Sequence, residues 1–495
     1  MTDRHRVAIV GAGVGGLALA IGLREDGVED FVVLERSDGV GGTWRQNTYP
    51  GAACDVPSHL YSYSFAPNPY WSRAYAAQPE ILDYLERCTD EGGVRPHLRT
   101  GWQVTSAEWS DVDACWTLRS AAGDEVRADV VVFATGLFAE PRWPDIAGLE
   151  TFAGDRLHSA RWDHRVELDG RRVGVIGTGA SGAQIVPEVA KVANRTTVFQ
   201  RTAPYVLPRK DPAFTPEEQA RLAADPVALA QIRQELYDQF EGTIAFEVGS
   251  PAAEVIKAIA LEHLARRVDD EELRARLTPD YELGCNRTLI TSDWYRALLR
   301  DDVDLVTAPI DRIVPEGVAT TDGEVHELDV LVLATGFRAG EYLQGIEVNG
   351  RAGDRLHDRW AVAPDAYLGM AVSGFPNLFV FYGPNTNQGG NSIILILEAQ
   401  ARYVREVVQL MADEGLAAVD VTAAAQAAYD DEIQTAMATT VWATGCHSYF
   451  TDANGRVVTQ LPHTSAWYEQ RTARVERDDW VLTAQADLEG ISPGG

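Results

Sequence analysis

Two apolar strands that each break into a glycine-rich turn, a pair of matching A-T-G turns and a helical stretch near mid-chain predict the fold class. It is α/β, with two Rossmann-like dinucleotide-binding domains and a helical insertion in the second. The first strand, Arg6 to Val10 (RVAIV), runs into Gly11-Ala-Gly13-Val-Gly15-Gly16 and then an alanine-rich helix from Leu17 to Arg24. In that context a G-x-G-x-x-G puts Gly11 at the tight turn. It puts Gly13 where a pyrophosphate can approach the backbone, and Gly16 where helix and strand pack closely. The next strand, Phe31 to Leu34, ends at Glu35, 19 residues after Gly16. A carboxylate there can accept hydrogen bonds from an adenosine ribose.

The pattern then repeats. Arg172 to Ile176 (RVGVI) leads into Gly177-Thr178-Gly179-Ala-Ser181-Gly182, a helix from Ala183 to Ala190 and a strand from Thr196 to Phe199. Nineteen residues after Gly182 stands Arg201, followed by Thr202, where the first copy has its acid. Arginine in place of the acid removes a repulsion and supplies a fork for a 2′-phosphate. The first site is therefore expected to hold FAD or NAD and the second NADPH; the competing reading of Arg201 is an ordinary surface arginine. Asp129-Val-Val-Val-Phe-Ala-Thr135-Gly136 and Asp329-Val-Leu-Val-Leu-Ala-Thr335-Gly336 are apolar strands closing on the same turn, one per module.

Between 211 and 280 the α/β rhythm gives way to helix signals. Thr215-Pro216-Glu217-Glu218 is a capping box, and Ser250-Pro251 opens a second helix over Ala252 to Val268. This insertion is expected either to wall a substrate cavity or to cover the sheet. After Thr335-Gly336 the chain should return to the first domain through Pro376 to Pro384, with a helix from Ile393 to Leu410. The N-terminus of that helix, near Asn391 and Ser392, could stabilise negative charge on a cofactor. Asp487 to Gly495 reads as a frayed tail.

Composition narrows the function classes. The 495 residues are 45% hydrophobic and 23% charged, ordinary globular usage with room for a large core. With 43 basic and 73 acidic residues, the net charge of −30 repels phosphate backbones and anionic lipid, so neither nucleic acid nor membrane is an expected partner. Cys54, Cys88, Cys115, Cys285 and Cys446 are scattered and odd in number. The reading is no disulfide framework, no metal site and a reducing, cytoplasmic setting. The uncharged run Val7 to Leu23 mimics a signal segment, but its glycines are explained by the nucleotide turn.

A third group of residues makes the reading specific. Gly41-Gly42-Thr43-Trp44 precedes Tyr49-Pro50-Gly51, Cys54-Asp55-Val56-Pro57-Ser58-His59 and Tyr61-Ser-Tyr63-Ser-Phe65, and a linker reads Phe152-x-Gly154-x-x-x-His158-x-x-x-Trp162-Asp163. The linker resembles the fingerprint of the type I Baeyer–Villiger monooxygenases, FAD- and NADPH-dependent enzymes of the flavin-containing monooxygenase superfamily, and the likeness runs from Val7 to about Pro462. The resemblance implies that NADPH reduces FAD, that the flavin traps O2 as a C4a-peroxyflavin, and that a ketone becomes an ester or lactone. It assigns catalysis to Arg287, in Leu277-Thr-Pro279 to Cys285-Asn286-Arg287, with Asp55 as its acid partner beside the flavin. It places Thr43, Trp44, Asp55 and Tyr61 with Gly11, Gly13, Gly16 and Glu35 around FAD. Gly177, Thr178, Gly179, Ser181, Gly182, Arg201 and Thr202 fall around NADPH. His158 takes a conformational role.

Two positions depart from the family pattern. Asn286 stands where lysine is common before the arginine, and Tyr449 where tryptophan is usual. The implied division is 1–145 for the first part of the FAD domain, 146–170 for the linker, 171–340 for the NADP domain with its insertion at about 211–280, and 341–495 for the FAD domain's C-terminal part. The chain is expected to be a monomer or homodimer. The alternative activity is that of the related N- or S-oxidising flavin monooxygenases. A disulfide reductase lacks its cysteine pair here, and a nucleotide-sensing protein without turnover is the non-enzymatic reading.

Overall fold

The computed structural model describes residues 3–242, 246–446, 450–452 and 454–489. Asp3–Val10 lies inside an eight-stranded sheet, parallel to Phe31–Leu34 on one side and Glu125–Phe133 on the other. Its second half, Val7 to Val10, is wholly apolar and buried because both faces are covered there. Val7 and Ile9 pack against the helices Val14–Glu25 and Ile393–Glu414, while Ala8 and Val10 pack against Trp116 and Phe133 on the other side. The late strands Glu347–Asn349 and Leu378–Val380 pair with Val104–Ser110 and Glu125–Phe133, so the chain does return to its first sheet.

The second sheet has five strands, all parallel, in the order Val303–Val306, Arg195–Phe199, Arg172–Ile176, Val330–Leu333, Asp155–His158. Register fixes where ligands could sit. Val10 pairs with Leu34 and Phe133, and Ile176 with Phe199 and Leu333. Gly11 and Gly177 therefore leave their sheets level with the ends of both neighbours. The carboxyl edge of a parallel sheet is where such folds bind nucleotides.

The expected helices of 211–280 are present, and more of them than the sequence reading distinguished. Thr215 closes the capping box on Pro216–Ala224 with both of its reciprocal bonds to Glu218. Ser250 caps Pro251–Arg267, one residue earlier than expected. Between them lies Pro226–Glu241, capped by Asp225, and Glu271–Arg276 follows, capped by Asp270. Gln485–Glu489 is helical, so the start of the expected frayed tail is ordered; residues 490–495 lie outside the described residues.

One expectation is overturned. Cys285 and Cys446, 161 residues apart in sequence, form a disulfide with Cα atoms 5.3 Å apart. The spacing hid it because the pair closes between the end of the helical insertion and the C-terminal segment, two parts of the chain that only folding brings together. The cysteine argument for a reducing compartment falls with it. Cys54, Cys88 and Cys115 remain free thiols, all buried.

Candidate active site

The first glycine turn is a cradle that tolerates no side chains. Gly11 has φ +109°, and a Cβ on Gly16 would lie 2.0 Å from the Gly11 carbonyl oxygen. The loop carrying Thr43 and Trp44 presses against this turn, since a Cβ on Gly42 would meet the Cα of Gly13 at 2.9 Å. Glu35 is buried, and its carboxylate is fixed on both sides. Oε2 accepts from the Ala12 N–H at 2.7 Å, and Oε1 accepts from the Ser37 N–H and hydroxyl at 2.8 and 2.7 Å. Trp44 donates its indole N–H to the Tyr61 hydroxyl at 3.1 Å, with the rings edge to face. Burial pushes the Tyr61 hydroxyl well above its ordinary pKa, which keeps it protonated.

The second turn repeats the geometry. Gly177 also has φ +109°, and a Cβ on Gly182 would lie 2.1 Å from the Gly177 carbonyl oxygen. Thr178 donates its hydroxyl to the Thr202 carbonyl at 3.0 Å, tying the turn to the end of the next strand, and Ser181 sits half-buried in the helix's first turn. Arg201 is exposed and makes no ion pair among the described residues. The helices Val14–Glu25 and Ala180–Val189 begin at Gly13 and Gly179 with no side-chain cap and no acid in the first turn, among the described residues. Helices elsewhere, at Thr215, Asp225, Ser250, Ser392 and Thr422, are capped by their own side chains. Uncapped N–H groups beside glycine are a site for phosphate oxygens, so the residues present fit a dinucleotide at both turns.

One acid and one arginine pair across the two parts of the chain. Arg287 donates through Nε and Nη2 to Asp55 at 2.8 and 2.7 Å, a bidentate pair formed across 232 residues. The side chains keep 37% and 22% of their surface, so the pair is partly solvated and its desolvation cost is modest. Next to it, Asn286 hydrogen-bonds Tyr281, whose hydroxyl burial pushes up to about 12. The family's lysine position is thus given over to a neutral contact just after the insertion.

Sequence reading missed the contact that docks the halves. Gln184, on the helix of the second turn, donates to the Ala53 carbonyl at 2.9 Å and accepts from the Tyr49 hydroxyl at 2.9 Å. Gly51, with φ +82°, lets that helix approach, because a Cβ there would come within 2.6 Å of the Gln184 carbonyl oxygen. A polar residue two places after a glycine turn carries no signal of such a role.

His158 is buried at the seam between linker and second sheet. The Ala160 N–H donates to Nδ1 at 3.1 Å, so the proton resides on Nε2, which faces the Arg142 carbonyl at 3.4 Å. Burial lowers its pKa, which favours the neutral ring.

Comparison with known proteins places this arrangement. The flavin-binding monooxygenase-like family matches residues 4–219. A Baeyer–Villiger monooxygenase of Streptomyces coelicolor is 42% identical over 98% of this chain and 94% of its own length. The chain belongs to the Baeyer–Villiger monooxygenases. Solved relatives agree in shape. A cyclohexanone monooxygenase from Rhodococcus sp. Phi1, bound to NADP+, superposes with a TM-score of 0.88 at 30% identity, covering 98% of this chain and all of that one. The OTEMO complex with FAD and NADP gives 0.88 at 27% identity, again over 98% of this chain and all of that one.

As a Baeyer–Villiger monooxygenase, the chain carries its predicted site residues in three groups: the first turn with Glu35, Thr43, Trp44 and Tyr61; the second turn with Arg201 and Thr202; and the Asp55–Arg287 pair. Tyr449, the expected departure near the C-terminus, lies outside the described residues. Among the described residues, no cluster of acids, cysteines and histidines could hold a metal, and no helix is long and apolar enough to cross a membrane.

Proposed function

We propose that the chain is an FAD- and NADPH-dependent Baeyer–Villiger monooxygenase. One oxygen atom of O2 enters beside a ketone carbonyl to give an ester or lactone, while the other leaves as water with the two electrons of NADPH. Gly11, Gly13, Gly16 and Glu35 would hold the FAD pyrophosphate and ribose, with Thr43, Trp44 and Tyr61 toward its ring. Gly177, Thr178, Gly179, Ser181 and Gly182 would hold the NADPH pyrophosphate, with Arg201 and Thr202 at its 2′-phosphate. Bound FAD supplies the electron transfer from NADPH and the activation of O2.

The chain's own contribution centres on Arg287, and the observation that carries the reading is its bidentate bond to Asp55. An arginine cannot release its proton in the working pH range, so it stabilises developing negative charge on oxygen without protonating it. Two N–H groups committed to Asp55 fix the guanidinium plane, which is the positioning such stabilisation requires. Gln184 and Tyr49 hold the second turn against the loop that carries Asp55, so both cofactor sites share one reference segment.

The test is a panel of linear, cyclic and aryl ketones with NADPH and O2 consumption measured together and products identified by mass. Stoichiometric ester or lactone is expected with at least one class. Arg287→Ala should keep flavin reduction and lose ester formation by ~10²–10³-fold, the usual cost of removing one oxyanion donor. Full ester formation in that variant sinks the assignment.

A further inference from the structure

The chain crosses between its two apolar cores just before Arg287. Leu277 and Leu289 both pack in the cluster of the second sheet, with Val175 and Val332. Cys285, between them, packs instead in the cluster of the first sheet, with Val7, Val130, Trp442 and Cys446. The excursion is short and sharply bent. Gly284 has φ +95°, and the Cys285 N–H donates to the Glu282 carbonyl at 3.1 Å. The return is fixed by the short strand Leu289–Ile290, which pairs in parallel with Val206–Leu207. Arg287 thus stands on a loop whose far end belongs to the second sheet's core.

Two contacts hold the near end on the first sheet's side. Cys285 is bonded to Cys446, and each is only 7% exposed. Beside that bond, the Trp442 indole N–H donates to the Gly284 carbonyl at 2.9 Å. Trp442 is itself anchored. Its ring packs on Phe246 with centroids 5.0 Å apart, and the Val441 N–H donates to the Phe246 carbonyl at 2.7 Å. A Cβ on Gly389 would lie 3.5 Å from the Trp442 ring, so the same segment lies against the loop that leads into Ile393–Glu414.

A loop anchored at one end samples far more backbone conformations than a loop anchored at both. Without the near anchor, Asp55 would have to hold the loop in place as well as orient the guanidinium. A partly solvated ion pair is a weak tether for both tasks.

We infer that the Cys285–Cys446 disulfide, with the Trp442 bond beside it, is the positioning element that keeps Arg287 in register with Asp55. Cys285, Cys446 and Trp442 are positioning residues, acting through the loop 284–287. The inference rests on the proposed function for the reaction that Arg287 serves. With the link intact, the reducing equivalents of NADPH end in ester. With it broken, a larger share ends in hydrogen peroxide, O2 taking up the two electrons of NADPH and two protons with no oxygen transferred to the ketone.

The test compares the native FAD- and NADP+-bound enzyme with Cys446→Ser and Trp442→Phe. Serine removes the covalent link at nearly constant volume; phenylalanine keeps a ring against Phe246 and removes the indole donor. Hydrogen–deuterium exchange read by peptide mass should accelerate about tenfold at 283–288 in Cys446→Ser, with the strand 172–176 unchanged. In turnover with a ketone, flavin reduction by NADPH should keep its native rate while ester formed per NADPH falls about tenfold and hydrogen peroxide rises to match. Trp442→Phe should shift both readouts the same way, by less. A link that serves stability alone would lower the melting temperature and leave the ester share native, which overturns the inference. Exchange that rises equally in both segments, or free thiols at Cys285 and Cys446 in the native protein, also overturns it. If Cys446→Ser does not fold, Trp442→Phe decides, and native exchange and ester share there overturn the inference. A native enzyme that makes no ester from any ketone would refute the proposed function, and the exchange contrast would then decide whether the link holds the loop.

Discussion

The two glycine turns offer a perturbation whose outcome differs by position on the same helix. At Gly182 an added Cβ would lie 2.1 Å from the Gly177 carbonyl oxygen, whereas ordinary contact starts at 3.4 Å. Backbone must then move by about 3.4 − 2.1 = 1.3 Å, and overpacking of that kind costs about 1–3 kcal/mol or more. At Gly179 no described atom lies within 4 Å of the added Cβ, and its φ of −72° suits alanine. Gly182→Ala should therefore lower the melting temperature and weaken NADPH, while Gly179→Ala should melt as the native protein does. If a pyrophosphate uses the open space at Gly179, the same methyl must weaken NADPH binding at least tenfold, about 1.4 kcal/mol, with FAD content unchanged. Fluorescence titration with NADPH, flavin absorbance and thermal melting read the three quantities. A Gly179→Ala variant that binds NADPH like the native enzyme would refute the reasoning that this turn cradles the second nucleotide.

Three further outcomes follow from single residues. Arg201→Ala should raise the KM for NADPH about 10–150-fold and leave NADH little changed, because charge-assisted hydrogen bonds contribute about 1.5–3 kcal/mol; equal effects on both cofactors would make Arg201 an ordinary surface residue. Thiol titration of the unfolded protein should count three thiols before reduction and five after, and Cys285→Ser should cost about 2–4 kcal/mol of stability; five thiols before reduction would remove the disulfide. His59 has a folded pKa of about 4, below the unfolded value of about 6.5, so the unfolded chain binds the extra proton first. Its contribution is present above pH 6.5 and lost as pH falls toward 4, so the native protein should lose stability with acid more steeply than His59→Gln; parallel slopes in chemical unfolding would contradict this.

Much of this fold was legible because its signals are local. Arg172 to Ile176 and Phe31 to Leu34 are strands over the very residues their apolar runs mark, and each glycine turn opens a helix. The capping box at Thr215 is read from four adjacent residues and forms as written. What escaped was long-range. The disulfide joins residues 161 apart, and Pro226–Glu241 hides its start because Asp225 serves both as the end of one helix and the cap of the next. Arg287 and Asp55 were paired only through resemblance, since nothing in a stretch of 232 residues says which acid an arginine meets.

The segment 49–55 shows why that long-range layer matters to function. It belongs to the part of the chain that builds the first sheet, yet residues after the linker hold it at both ends: Gln184 grips Tyr49 and Ala53, and Arg287 grips Asp55. Gln184 rides on the helix that opens at the second glycine turn, and Arg287 follows the helical insertion. A shift of the second sheet relative to the first must therefore either drag this loop or break one of these contacts. Hydrogen bonds to Gln184 are neutral and weaker than the charge-assisted pair at Asp55, so the Gln184 end is the one that yields first. Under the proposed function, a shift between the two glycine turns would then leave Arg287 paired with Asp55.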